Sequence, residues 1–261
     1  MLIALVSLDQ FWENKNLNLT YCEKYFQTAQ SLHADLIVFP EMTLTGFSNN
    51  ISQIAELEEK SATVEAFKRL SRQYQMGTIF GVVFKNRIKA ANCALFLDKS
   101  GEVLGKYQKT HPFSHANEDK IFEPGNNVLS VDFNSLNIGV TICYDLRFPE
   151  IYSALGVNSD LIVNIGNWPY QRIEHWIALL KARAIENQIY IAGINRIGTD
   201  HNGLYYPRSS IVFDYNGEMV NKTYEEGALD LYDINKEKTL EFRRSFSTAQ
   251  DRRPELYKNL L

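Results

Sequence analysis

Apolar positions along the chain fall into two kinds of pattern: short continuous runs, and longer stretches in which they recur every three or four residues. Leu2 to Leu8 and Leu36-Ile37-Val38-Phe39 are runs of the first kind and read as buried strands. Between them, Asn16 to Leu32 carries Leu19, Cys22, Tyr25/Phe26, Ala29 and Leu32 on one stripe, which predicts an amphipathic helix. Ser61 is placed to cap a second helix, Ala62 to Tyr74, with Val64, Phe67, Leu70 and Tyr74 facing inward. Thr78 to Phe84, Asn92 to Leu97 and Glu102 to Tyr107 read as strands, the last two joined by the turn Lys99-Ser100-Gly101. This strand-turn-strand step interrupts a strict β-α-β alternation and points to mixed sheets. An irregular stretch follows as far as Asn127, and a long loop of that kind within a compact domain is often functional.

The second half continues in the same manner. Ile138, Val140 and Ile142 mark a β-branched strand, Pro149 to Leu155 a short helix and Leu161 to Ile165 another strand. Arg172 to Asn187 predicts a long helix with Trp176, Leu179, Leu180, Ala184 and Ile185 on its inner face, and with Glu174, Lys181, Arg183 and Glu186 polar or paired. Strands are expected at Tyr190 to Ile194, Ser210 to Phe213, Glu218 to Tyr224 and Gly227 to Tyr232, with Asn216-Gly217 as a hairpin turn. From about Asn235 the tail begins helically. With no internal repeat, low-complexity segment or linker, one domain over residues 1–261 is expected. The pattern fits a layered α/β protein and leaves three-layer and four-layer arrangements open.

Composition narrows the function. The chain has 261 residues, 45% hydrophobic and 22% charged, as in a globular protein with a full core. The net charge of -4 comes from interspersed acids and bases, so no nucleic-acid partner is expected. No apolar segment approaches bilayer length, and the run Leu2 to Val6 lacks the flanks of a secretory leader, so no membrane partner is expected either. Cys22, Cys93 and Cys143 are odd in number and far apart, which favours reduced thiols and a cytoplasmic protein.

Three positions carry candidate chemistry. Cys143 lies between a strand and the helix opened by Pro149-Glu150, where α/β sheets present reactive groups and where helix amides or a cation lower a thiol pKa. A buried thiol packing as a small hydrophobe is the plainer alternative. Glu41 stands immediately beyond the strand ending in Phe39, among Pro40, Met42 and Leu44, a setting too apolar for an ordinary solvated carboxylate. Lys109 lies in Lys106-Tyr107-Gln108-Lys109-Thr110-His111-Pro112-Phe113 and would say little alone. His111 and His115 share its loop and keep a Cys-His site open, but no second ligand cluster supports a metal. No Gly-rich phosphate loop is present, and no cofactor is expected.

Taken together, Phe39-Pro40-Glu41-Met42, Lys106 to Phe113 and Cys143-Tyr144-Asp145-Leu146-Arg147-Phe148-Pro149-Glu150 resemble the Glu-Lys-Cys signatures of the nitrilase superfamily of carbon-nitrogen hydrolases. Asn167-Trp168-Pro169, Arg172, His175-Trp176, Ala182 to Gln188, Asn195 to Gly198, Asp251 to Pro254 and Tyr257 extend the likeness over nearly the whole chain. Within the superfamily the chain looks most like the omega-amidases, which release ammonia from 2-oxo dicarboxylic acid monoamides. The resemblance implies a four-layer αββα sandwich, a small-molecule amide and water as reactants, and a homodimer joined through a helix layer. The segments at Phe148-Pro149-Glu150 and Tyr257 are the candidate dimer contacts. It also implies Cys143 as nucleophile, Glu41 as base, Lys109 and the Tyr144 N–H as oxyanion donors, and Glu118 as a second glutamate. Lys109 would in addition favour the Cys143 thiolate.

Asn167 and Trp168 are candidate substrate-binding residues, with Arg172 and then Arg208 as readers of a substrate carboxylate. Arg147 ranks third, because Asp145 is close enough in sequence to hold it structurally. Arg208-Ser209-Ser210 departs from the family pattern, which often has Gly in place of that arginine. Other readings are hydrolysis of a different linear amide (deaminated glutathione or an N-carbamoyl amino acid) and a non-catalytic binding protein on the same fold.

Overall fold

The computed structural model describes residues 1–258; the end of the expected domain, 259–261, lies outside them. In chain order it contains β1 (Leu2–Val6), α1 (Lys15–Ser31), β2 (Leu36–Val38), α2 (Ile51–Ile54), α3 (Ala62–Tyr74), β3 (Gly77–Lys85), β4 (Ala90–Leu97), β5 (Val103–Gln108) and α4 (Glu118–Ile121). There follow β6 (Leu129–Phe133), β7 (Leu136–Ile142), α5 (Pro149–Gly156), β8 (Leu161–Gly166), α6 (Ile173–Asn187), β9 (Tyr190–Asn195), β10 (Gly198–Thr199) and β11 (Tyr205–Tyr206). The last elements are β12 (Ile211–Phe213), β13 (Tyr224–Glu226), β14 (Leu229–Asp233), α7 (Lys236–Ser245) and α8 (Pro254–Tyr257).

Two sheets form the middle of the molecule, one of seven strands in the order β13-β14-β1-β2-β3-β4-β5 and one of five in the order β12-β9-β8-β7-β6. The central trios β1-β2-β3 and β7-β8-β9 are parallel, and the outer strands are added antiparallel. Successive residues of a strand point to opposite faces, so β1 serves two cores. Ile3 and Leu5 meet Ile138, Val140 and Val163 between the sheets, while Ala4 and Val6 face Phe26 of α1 and Phe67 of α3. On the far side, Trp176, Leu180 and Ala184 of α6 and Leu155 of α5 cover the five-stranded sheet. The result is the αββα sandwich implied by the resemblance, which decides between the layer counts that periodicity left open. Among the described residues no helix is long and apolar enough to cross a membrane.

Three local expectations change. Glu218 to Tyr224 is not one strand: Met219 makes a single bridge to Phe213, and Tyr224 to Glu226 pairs instead with β14 in the other sheet. The Asn216-Gly217 turn does form, with Asp214 Oδ1 accepting from the N–H groups of Asn216 and Glu218. In α6, Ile185, expected on the inner face, is half exposed, while Arg183 is paired with Glu186 within the helix as expected and is buried as well, its Nε and Nη2 donating to the Leu146 carbonyl. Finally, the stretch read as irregular up to Asn127 contains α4, which delivers Glu118 to the interior.

Candidate active site

Cys143 directly follows β7 and opens a short 3-10 turn, Cys143–Arg147. Its φ of 45° lies in the left-handed region, a strained backbone of the kind that surrounding contacts must hold in place. Asp145 supplies several of them. Its Oδ2 accepts from Ile142 N at 3.0 Å and Tyr107 O–H at 2.7 Å, and its Oδ1 accepts from His111 N at 3.0 Å. The His111 ring is also committed to Asp145, with Nδ1 2.8 Å from Oδ1, and stacks on Phe148. Asp145 therefore does not hold Arg147, contrary to expectation. Arg147 lies over the Trp168 ring at 5.0 Å with Nη2 3.2 Å from His175 Nδ1.

Glu41 sits in the turn after β2, fully buried, next to Met42 at a φ of 47°. One side-chain amide braces this turn: Gln10 Nε2 donates to the carbonyls of Glu41 and Met42 at 3.0 Å and of Thr43 at 3.2 Å. Behind the turn, β3 comes so close at Gly81 that a Cβ there would lie 2.3 Å from Met42 N. Glu41 Oε1 accepts from Lys109 Nζ at 2.9 Å and Asn92 Nδ2 at 2.8 Å. Lys109 Nζ also reaches Glu118 Oε2 at 2.7 Å, an oxygen that accepts Phe113 N at 2.6 Å. Asn167, just beyond β8, donates from Nδ2 to the Glu41 carbonyl at 2.8 Å and to its Oε2 at 3.4 Å.

These groups set one another's charge. Burial pushes Lys109 down, but the carboxylates of Glu118 and Glu41 outweigh it and hold its pKa well above the ordinary lysine range. Burial raises the Glu118 carboxyl, Lys109 pulls it back and Glu41 adds to the rise, leaving it above the ordinary value. For Cys143, burial and then the Glu41 charge push the thiol well up, and Lys109 offsets only part of this. Burial and the Glu41 charge thus oppose the thiolate that Lys109 favours. The Cys143 Sγ–H points to the Asn167 carbonyl at 3.9 Å.

Cys143 and Lys109 line a pocket of about 320 Å³ walled by Phe113, Tyr144, Arg147, Trp168, Arg172 and Tyr206, with Asn167 also at its edge. Arg172 lies over the Phe113 ring at 5.5 Å, and its carbonyl accepts from Trp168 Nε1 at 2.6 Å. Of the expected substrate-binding residues, Asn167, Trp168 and Arg172 thus share one cavity with the thiol. Arg208 does not. It lines a different cleft and is neutralised by Asp230 at 2.5 Å and Glu225 at 3.1 Å, partners on β14 and β13 that its own sequence neighbourhood does not reveal. Two residues went unnoticed in the sequence, Gln10 and Asn92. For Asn92 a signal existed, a lone polar side chain within the otherwise apolar Ala90–Leu97.

A buried carboxylate and lysine beside a thiol, all at strand ends of an αββα sandwich, mark the class of hydrolases that act on carbon-nitrogen bonds. The sequence model of the carbon-nitrogen hydrolase family matches residues 2–244, and the chain belongs to that family. Similar proteins include the omega-amidase YafV of Yersinia enterocolitica, 33% identical over 217 residues, covering 83% of this chain and 82% of that one. The 2-oxoglutaramate amidase of Bacillus subtilis is 27% identical over 258 residues, 98% of either chain. Among solved structures, a CN-hydrolase superfamily protein of Xanthomonas campestris with an arsenic adduct in its active site superposes with a TM-score of 0.89 at 28% identity, over 97% of both chains. An amidase from Nesterenkonia sp. shares the fold, with a TM-score of 0.87 at 24% identity over 100% of this chain and 96% of that one.

Proposed function

We propose that the protein is an omega-amidase-like enzyme that hydrolyses the terminal amide of a small 2-oxo dicarboxylic acid monoamide, 2-oxoglutaramate or 2-oxosuccinamate, to the acid and ammonia. The observation that carries this reading is the composition of the pocket wall. Arg147 and Arg172 both face the cavity that holds Cys143, and neither has a carboxylate partner among the described residues. Two cations left unneutralised in a small apolar cavity favour a substrate that brings its own anion. The names of the amidase relatives point the same way.

In the mechanism this implies, Cys143 Sγ attacks the amide carbon as its proton passes to Glu41. Lys109 and the Tyr144 N–H stabilise the oxyanion. Glu41 then gives the proton to the amide nitrogen, the C–N bond breaks and ammonia leaves a thioester on Cys143. Water attacks the thioester, its proton passes to Glu41, and that proton returns to sulfur as the acid departs. Glu118, fixed by Phe113 N, keeps Lys109 charged and aimed. The reading includes a cytoplasmic homodimer that covers the groove between α5 and α8, where Val157 and Tyr257 are exposed; light scattering checks the mass.

The test is a kinetic screen of 2-oxoglutaramate, 2-oxosuccinamate, deaminated glutathione, N-carbamoyl amino acids and simple nitriles. The highest kcat/KM is expected for a 2-oxo acid monoamide. A preference for one of the others would reassign the substrate, and no hydrolysis of any of them, followed as ammonia or, for deaminated glutathione, as the released dipeptide amine, would favour a binding protein.

A further inference from the structure

Asn92 lies within β4, is buried and takes no part in the pocket wall. Its Nδ2 donates to Glu41 Oε1 at 2.8 Å and lies 3.4 Å from Glu118 Oε1. Lys109 Nζ bridges the same two carboxylates through Glu41 Oε1 and Glu118 Oε2. Glu41 Oε1 therefore holds two donors, one of them charged, whereas among the described residues Oε2 has only the 3.4 Å contact from Asn167. A carboxylate oxygen whose lone pairs are already engaged is the poorer proton acceptor. Asn92 Oδ1 meanwhile has no hydrogen-bond donor, which is costly in a buried position. A residue kept only for the stability of an apolar strand would not carry that amide.

We propose that Asn92 is a positioning residue: with Lys109 it occupies Glu41 Oε1, so that proton transfer to and from Cys143 runs through Oε2. The inference rests on the reading of Glu41 as the base and adds which oxygen works and what fixes it. The charged and titratable groups facing Glu41 are Lys109 from the end of β5, Glu118 from α4 and Cys143 from the turn after β7. Asn92 is the neutral donor among them, and its removal leaves Oε1 with Lys109 alone, so that the carboxylate is no longer held in one orientation toward Cys143.

The experiment compares Asn92→Leu, close in volume but without a donor, with the isosteric Asn92→Asp, using 2-oxoglutaramate as substrate. For Asn92→Leu, kcat should fall about 10- to 100-fold while KM stays within about threefold, because Asn92 does not face the substrate. Asn92→Asp, which replaces the donor by a third carboxyl in the cluster, should also lose kcat at a near-native KM, and it serves if the leucine variant does not fold. A native kcat in either folded variant, or a raised KM with native kcat, overturns the proposal. Glu41→Gln separates the two levels: if it loses turnover while the Asn92 variants keep theirs, only the role of Asn92 falls. If Glu41→Gln turns over normally, the base assignment falls and the inference with it.

Discussion

Asn167 Nδ2 donates to the main-chain carbonyl of Glu41 at 2.8 Å, and this bond joins the two sheets at the site. Asn167 ends the β8 side of the five-stranded sheet, and Glu41 follows β2 of the seven-stranded one. The nucleophile belongs to the first sheet and the acid-lysine-acid cluster to the second. Their mutual placement is therefore a property of how the sheets face each other, fixed by the apolar core between them and pinned at the rim by this amide together with the bonds of Tyr107 and His111 to Asp145.

Replacing Cys143 by Ala should lower turnover by several orders of magnitude while leaving thermal unfolding close to native, as removal of a nucleophile does. Native enzyme quenched during turnover should carry an acyl adduct on Cys143 by mass spectrometry, and a chelator should leave the rate unchanged. Persistent turnover in Cys143→Ala would reject covalent catalysis at this thiol.

Gly81→Ala probes the support of Glu41. The added Cβ would meet Met42 N at 2.3 Å and the Glu41 carbonyl carbon at 2.9 Å, so the turn must move. Overpacking of this kind costs about 1–3 kcal/mol. A displaced base should cost much more in rate, about 100-fold in kcat for a shift of about 1 Å. A variant with lowered Tm but native kcat would show that catalysis tolerates movement of the turn.

The buried thiols give the fold a dependence on alkaline pH. Burial raises the pKa of Cys22 well above the ordinary value and that of Cys93 to about 12. Below the unfolded pKa of about 8.5, both states keep the proton and the contribution is complete. Above it the unfolded chain releases protons that the native state retains, so stability falls as pH rises toward the folded value, by up to about 1.4 kcal/mol per pH unit for each thiol. Tm should decline between about pH 9 and pH 10. Cys93→Ala should begin from a lower Tm at neutral pH and decline less steeply. Parallel slopes for the two proteins would exclude Cys93 from the effect.

The sequence made the site legible wherever chemistry sits next to a strand end. Glu41 and Cys143 stand just beyond apolar runs, where short-range pattern marks them, whereas Lys109 follows a mostly exposed strand and stands out through the likeness to the nitrilase signatures. The supporting groups were hidden for a different reason. Gln10 and Asn92 act on Glu41 from 31 and 51 residues away, through contacts that only the closed sheet creates. Arg208 was misread because Asp230, 22 residues further on, neutralises it across strands. The strand expected at Glu218 to Tyr224 failed because its residues divide between two sheets, a choice no local alternation encodes.

The last prediction concerns the anion that the pocket is proposed to read. Arg172 approaches from the turn before α6, held over Phe113, and Arg147 from the turn after Cys143, held over Trp168. Stacking on aromatic rings orients each guanidinium, and although Arg147 Nη2 is engaged by His175 Nδ1, its remaining N–H groups and those of Arg172 can still meet a ligand. Loss of one charge-assisted pair typically costs about 1.5–3 kcal/mol, about one to two orders of magnitude in kcat/KM. Arg172→Ala and Arg147→Ala should each reduce kcat/KM for 2-oxoglutaramate by that factor, with at most a severalfold change for a neutral amide of similar length. If both arginines grip one carboxylate, the double variant should lose less than the product of the single losses, because the second removal finds the anion already poorly held. Equal losses on charged and neutral substrates would make the arginines structural. Efficient hydrolysis of neutral amides by the native enzyme would reject the anionic pocket itself.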